Sequence, residues 1–301
     1  MKFGVILFAP VLALLVSGCG NLQALKVAEV PTPLKSAPIA LSAQRAPARV
    51  SPGAIEIPNR SVFLKQTAGG SLAAGLLLGP IGGLANAANI ERLSKELAEN
   101  SKGSTILQLD AIEEAAAAWG EQSLQKDAKS LQLRPYLVLY PDDRRKSVTI
   151  IGGVFVTSTH VIAGDKVWNA DYHYVLPSEF GLEVLERPMD SGQVALFKEE
   201  LREGFRQIRA EMVRDLSAAQ PSRRVALIWA EPLRVSLMGF AGFASGDVET
   251  EPSGRLVIRT NMENWGGSVG AASRDTPHQV WIFSKASQYR FDAEPQERRT
   301  K

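Results

Sequence analysis

Arg134-Pro-Tyr-Leu-Val-Leu-Tyr140 and the strand-like runs that follow it, to Leu176, decide the fold of this chain. Pro141-Asp142-Asp143 is a turn signal. Val148 to Thr157 is β-branched and aromatic, and Gly152-Gly153 reads as a bulge. Ala163-Gly164-Asp165 makes the next turn, and Lys166 to Leu176 continues through Val167, Trp168, Tyr172, Tyr174 and Val175. Strands joined by short turns pair antiparallel, so residues 134–176 read as a meander.

Downstream, Ser191 to Ala218 changes period. Val194, Phe197, Leu201, Phe205, Ile208, Met212 and Leu216 recur every three or four residues, one apolar stripe of a helix. Glu199, Glu200, Arg202, Arg206, Arg209, Glu211 and Arg214 fill the other faces, which read as solvated. Strands resume at Arg224–Trp229, Val235–Ala244, Arg255–Thr260 and Gln279–Phe283, with a short edge at Ser287–Phe291. Upstream, Thr105 to Lys129 reads as a helix capped by Ser104, with Leu109, Ile112, Ala116 and Trp119 on one face. The expected class is α+β over residues 104–292: an antiparallel sheet covered by long helices. Residues 293–301 are a charged tail.

Residues 54–66 supply one or two short strands, and then the composition changes abruptly. Thr67 to Ile90 holds no charge, and Ser71, Gly75, Gly79, Gly83 and Ala87 fall at every fourth position. On a helix that spacing makes a smooth stripe where another backbone can approach closely. Leu72, Leu76, Leu77, Leu78, Ile81 and Leu84 lie opposite. Gly79-Pro80 breaks the run, giving a helical hairpin within 54–103. This segment resembles the glycine zippers of bacterial envelope proteins. A membrane-associated hairpin, an oligomer contact away from lipid, and a buried Gly-rich helix or loop all satisfy the pattern.

The beginning of the chain gives an address. Met1-Lys2 is basic, Phe3 to Val16 is apolar, and small residues precede Cys19, the sole cysteine. That is a secretory signal over 1–18, too short to span a bilayer. Leu15-Val16-Ser17-Gly18-Cys19 resembles the lipobox of bacterial lipoproteins. The resemblance implies cleavage before Cys19 and acylation of its thiol, leaving no free thiol for disulfides or catalysis. Gly20, rather than Asp, after the cysteine implies the outer membrane, with the folded part facing the periplasm. Residues 19–53, punctuated by Pro31, Pro33, Pro38, Pro47 and Pro52, read as a disordered, lipid-anchored tether, with an arm packed on the domain as the alternative.

Charge excludes some functions. Without Lys2 the chain carries 33 basic against 32 acidic side chains, no footprint for nucleic acid. His160, His173 and His278 are the only histidines and show no metal-ligand spacing. Gly239 to Gly246 lacks the lysine of a phosphate-binding loop, so neither metal nor cofactor is expected. Gly266-Gly267-Ser268-Val269-Gly270 fits a nucleophile-elbow spacing, with Asp275 and His278 after it. The flanks are not strand and helix, and the three groups crowd one loop, so a hydrolase is disfavoured. Gly164-Asp165-Lys166-Val167-Trp168 with the long helix is similar to the periplasmic α/β domains of curli-export and Tol-type proteins.

The expectation is a non-enzymatic lipoprotein held to membrane lipid through Cys19. It would self-associate or join an envelope complex through the zipper segment and the domain. An oligomeric export pore is the alternative, and a serine hydrolase at Ser268 the outlier.

Overall fold

The computed structural model describes residues 30–35, 37, 39–42, 54–57, 60–65, 103–120, 124–125, 131–142, 146–163, 166–217, 224–230, 243–260, 278–292 and 296–297. These hold thirteen strands of one sheet: β1 (Ala40–Ser42), β2 (Ala54–Ile57), β3 (Val62–Lys65), β4 (Leu124–Gln125), β5 (Leu131–Asp142), β6 (Ser147–Ala163), β7 (Lys166–Gly181), β8 (Arg224–Trp229), β9 (Phe243–Thr250), β10 (Leu256–Thr260), β11 (His278–Phe283), β12 (Arg290–Phe291) and β13 (Gln296–Glu297). The main path runs β12-β8-β9-β10-β11-β7-β6-β5-β1-β4; β13 joins β8, and β2 joins through β3 to β5. Two α-helices accompany the sheet among the described residues, α1 (Ala111–Trp119) and α2 (Ser191–Leu216).

The expected antiparallel sheet under long helices is corrected here. The meander β5-β6-β7 is antiparallel as its short turns require, but the sheet as a whole is mixed. Strand β11 pairs parallel with β7, and β1 pairs parallel with both β5 and β4. The reason lies in β11, buried at all six positions, which takes a central place between β7 and β10 rather than extending a meander. The helical share is also smaller than expected. The helix read over Thr105–Lys129 spans only Ala111–Trp119, because Gly120 adopts φ 91°, a conformation that ends it. Asp110, not Ser104, caps it by accepting from the Ile112 N–H at 2.9 Å.

The disordered tether needs the same correction. Val30, Leu34 and Leu41 are buried in the core, and β1 lies inside the sheet between β5 and β4. Proline hides this strap in the sequence, where Pro31 in fact opens a single 3₁₀ turn, Thr32–Leu34. The helical hairpin with Ser71, Gly75, Gly79, Gly83 and Ala87 lies outside the described residues, as does Cys19.

Helix α2 positions everything that follows. Asp190 and Gln193 form a reciprocal capping box at its start. Its stripe Phe197, Leu201, Phe205, Ile208, Met212 and Leu216 packs on one face of the sheet with Tyr172, Tyr174, Val257, Val280 and Ile282. Helix α1 joins that layer, where the Trp119 Nε1–H donates to the Phe205 carbonyl at 2.7 Å. The other face carries a second apolar cluster, including Tyr136, Ile151, Phe155, Val175, Ile258, Trp281 and Phe283. Strand alternation accounts for the division: Tyr172 and Tyr174 face α2, and His173 points the opposite way.

Candidate functional site

Buried polar groups gather on both faces of β7 and β11, and the two gatherings differ in how fully they are satisfied. On the helix side Glu211 and Asp215, one turn apart on α2, meet Arg259 of β10. The Arg259 Nε donates to Asp215 Oδ1 at 2.8 Å, and its Nη2 to Glu211 Oε2 at 2.5 Å. Arg255 donates to Glu211 Oε1 at 2.8 Å. Asp215 Oδ2 lies 3.0 Å from His278 Nε2 and accepts from the Tyr172 hydroxyl at 3.2 Å. Burial would raise the Asp215 pKa, but His278 and then Arg259 outweigh it and hold the carboxylate well below its usual range. Burial would likewise lower Arg259, but Asp215 and Glu211 hold it above its usual value. Every oxygen of both carboxylates has a partner. This is a clamp between helix and sheet.

The opposite face is built on a row across four strands. Tyr136 of β5, Gly153 of β6, His173 of β7 and Trp281 of β11 are successive cross-strand partners. A side chain at Gly153 would collide with the Tyr136 ring, its Cβ lying 2.2 Å from Cζ. The glycine is therefore no bulge: β5 and β6 pair regularly there, and it lets the tyrosine lie across β6. The Tyr136 hydroxyl donates to Asp171 Oδ1 at 2.6 Å and lies 3.0 Å from His173 Nδ1. The His173 ring stacks on Trp281, with centroids 4.0 Å apart.

Donor counting assigns the protons. Tyr136 has one hydrogen and gives it to Asp171, so His173 Nδ1–H donates to the tyrosine oxygen and Nε2 keeps a lone pair. Asp171 Oδ2 stands 3.4 Å from that Nε2 without forming a hydrogen bond. Both groups are fully buried. Burial pushes Asp171 well above the usual carboxylate range and holds His173 down to about 3. Both shifts favour the uncharged forms, a carboxyl beside a neutral imidazole.

That state has a signature in stability. The unfolded chain carries a charged His173 below pH 6.5 and a charged Asp171 above pH 3.8. Between these values, while Asp171 keeps its proton, folded and unfolded forms each bind one proton and the pair contributes no slope. Above pH 6.5 the folded form holds the extra proton, so stability falls as pH rises. Below pH 3.8 the unfolded form binds two protons to one, so stability falls as pH drops. Asp171→Asn removes the alkaline limb while keeping an acceptor for Tyr136. Urea denaturation above pH 6.5 should show wild-type stability declining more steeply than that of the variant, by up to about 1.4 kcal/mol per unit for as long as Asp171 keeps its proton. An identical decline in both proteins would refute the assignment.

The sequence reading placed its candidates elsewhere. Cys19, Ser71, Gly75, Gly79, Gly83 and Ala87 lie outside the described residues, as do Ser268 and Asp275. His278 is engaged by Asp215 of α2. Among the described residues no three His, Cys, Asp or Glu side chains gather as a metal site. The reading missed Asp171 and Trp281, although Asn169-x-Asp171-x-His173 puts three polar side chains on one face of a strand, a visible signal. Compared with known protein families, curated proteins and solved structures, the chain matches none of them.

Proposed function

We propose that this protein is a non-enzymatic, lipid-anchored lipoprotein of the outer membrane that faces the periplasm and works by assembly, with itself or with an envelope complex. The observation that carries the reading is the lipobox cysteine at Cys19, the position a cleaved and acylated chain would begin from. The fold adds a constraint that suits an anchored role. Among the described residues the first buried one is Val30, eleven residues after Cys19. A chain of that length reaches at most about 35–40 Å. An anchored domain of this kind works close to the lipid surface, not at the end of a long arm. The stripe Ser71, Gly75, Gly79, Gly83 and Ala87 is the proposed contact with the partner.

Metabolic labelling with a fatty-acid probe tests the anchor. Wild type should take label and shift to the cleaved size. Cys19→Ser should take none and stay uncleaved. Equal labelling of both would end the lipoprotein reading.

A further inference from the structure

Five buried polar atoms on one face of two neighbouring strands have no hydrogen-bond partner among the described residues. They are Asn169 Oδ1, Asp171 Oδ2 and His173 Nε2 on β7, and Gln279 Oε1 and Trp281 Nε1 on β11. The register sets Gln279 beside Asp171 and Trp281 beside His173. Alternation puts all five side chains on the face opposite α2. With two-residue steps of roughly 6.7 Å and strands about 4.8 Å apart, the group covers about 13 Å along β7 and one strand spacing across. A buried donor or acceptor without a partner is costly, and native interiors rarely carry several together. Along the same face Gln132 and Arg134, bonded to each other at 3.1 Å, are only partly buried, so the polar strip runs from the interior toward the surface.

The chemistry of the five atoms narrows what fits them. Asn169 Oδ1, Gln279 Oε1 and the His173 Nε2 lone pair accept hydrogen bonds, whereas the Trp281 Nε1–H and, in the protonated carboxyl, Asp171 Oδ2 donate. An ammonium group has no acceptor for Trp281. A carboxylate has no donor for the three acceptors. A hydroxyl supplies both from a single neutral atom. The Trp281 ring is fully buried, stacked on His173 and parallel to Phe283 at 6.3 Å, so its N–H is the group left to be met. The contact is therefore polar and directional, with no platform for an aromatic ligand.

We propose that Asn169, Asp171, His173, Gln279 and Trp281 form a binding site for neutral hydroxyl groups, those of a small sugar or polyol or of internal water. This inference is independent of the lipid anchor. The spread of the atoms calls for more than one hydroxyl.

The test follows the Trp281 indole proton by NMR in the full chain labelled with ¹⁵N-tryptophan, its resonance identified with Trp281→Phe. D-glucose and sorbitol are the sugar and polyol probes. A saturable shift in wild type that weakens at least tenfold in Gln279→Leu supports the site and names a sugar or polyol as the source. No shift, but a persistent cross-relaxation signal between the indole proton and long-lived water that changes in Gln279→Leu, supports it with water as the source. An indole proton that responds to neither overturns the proposal, as does a saturable response to ammonium or acetate alone. Circular dichroism checks folding of Gln279→Leu, and Asp171→Asn, which keeps its Tyr136 contact, serves in its place if that variant does not fold.

Discussion

Arg259→Met should cost about 3–5 kcal/mol of stability, because it removes the buried cation that Glu211 and Asp215 share and leaves Glu211 to Arg255 and Asp215 to His278. Arg259, Glu211 and Asp215 are 3%, 4% and 1% exposed, so solvent screening offers little relief. Urea denaturation at pH 7 measures the loss. Asp215→Asn, which keeps an acceptor for Tyr172, should lose less. Asp215 is held below its unfolded pKa of 3.8, so its contribution is present above that value and fades as pH drops through the depressed one. The gap between Arg259→Met and wild type should therefore narrow in acid. A loss under about 1 kcal/mol at pH 7 would mean that the clamp does not hold α2 to the sheet.

Gly153→Ala should be strongly disruptive on the opposite face. The new Cβ would meet the Tyr136 ring at three atoms, the farthest 2.6 Å away. Overpacking of this kind costs about 1–3 kcal/mol, and the displaced Tyr136 hydroxyl would also leave Asp171 and His173. The pairing makes a double-mutant cycle decisive. In a Tyr136→Leu background the ring is gone, and Gly153→Ala should be close to neutral. A coupling of roughly 1–3 kcal/mol is expected. Additive effects would show that the glycine serves its own strand and not the tyrosine.

Local periodicity was readable, and partnership was not. The stripe from Phe197 to Leu216 named the buried face of α2, and the alternation of Tyr172, His173 and Tyr174 sorted the two faces of β7. A period of two says which way a side chain points but not which strand lies beside it, so the parallel place of β11 was hidden. Its continuous burial was a clue that alternation arguments pass over. Glu211 was assigned to a solvated face because it sits among Arg209 and Arg214. The better signal was Glu211 with Asp215, two acids one turn apart beside Met212 and Leu216. Arg255, just before β10, and Arg259 within it both reach Glu211 and could have been matched to these acids. The strap was lost among prolines, where Val30, Leu34 and Leu41 follow no period. Asp171 and His173 looked like ordinary strand residues because their partners, Tyr136 and Trp281, come from distant parts of the chain.

The seat of β11 also sets a timetable. A chain made from its N-terminus offers β5, β6 and β7 early, and these can pair through short turns. The β7 partner on the other side is more than one hundred residues later, since Ala170 lies beside His278. Until Phe283 has been made, the backbone groups of β7 along that side wait without the strand that finally takes them, and β10 waits as well. The polar face with Asp171 and His173 is assembled in the same late step. Slow, late closure of a central strand leaves a nascent chain open to wrong pairings. Truncation before residue 278 would therefore leave a sticky intermediate rather than a smaller version of the fold.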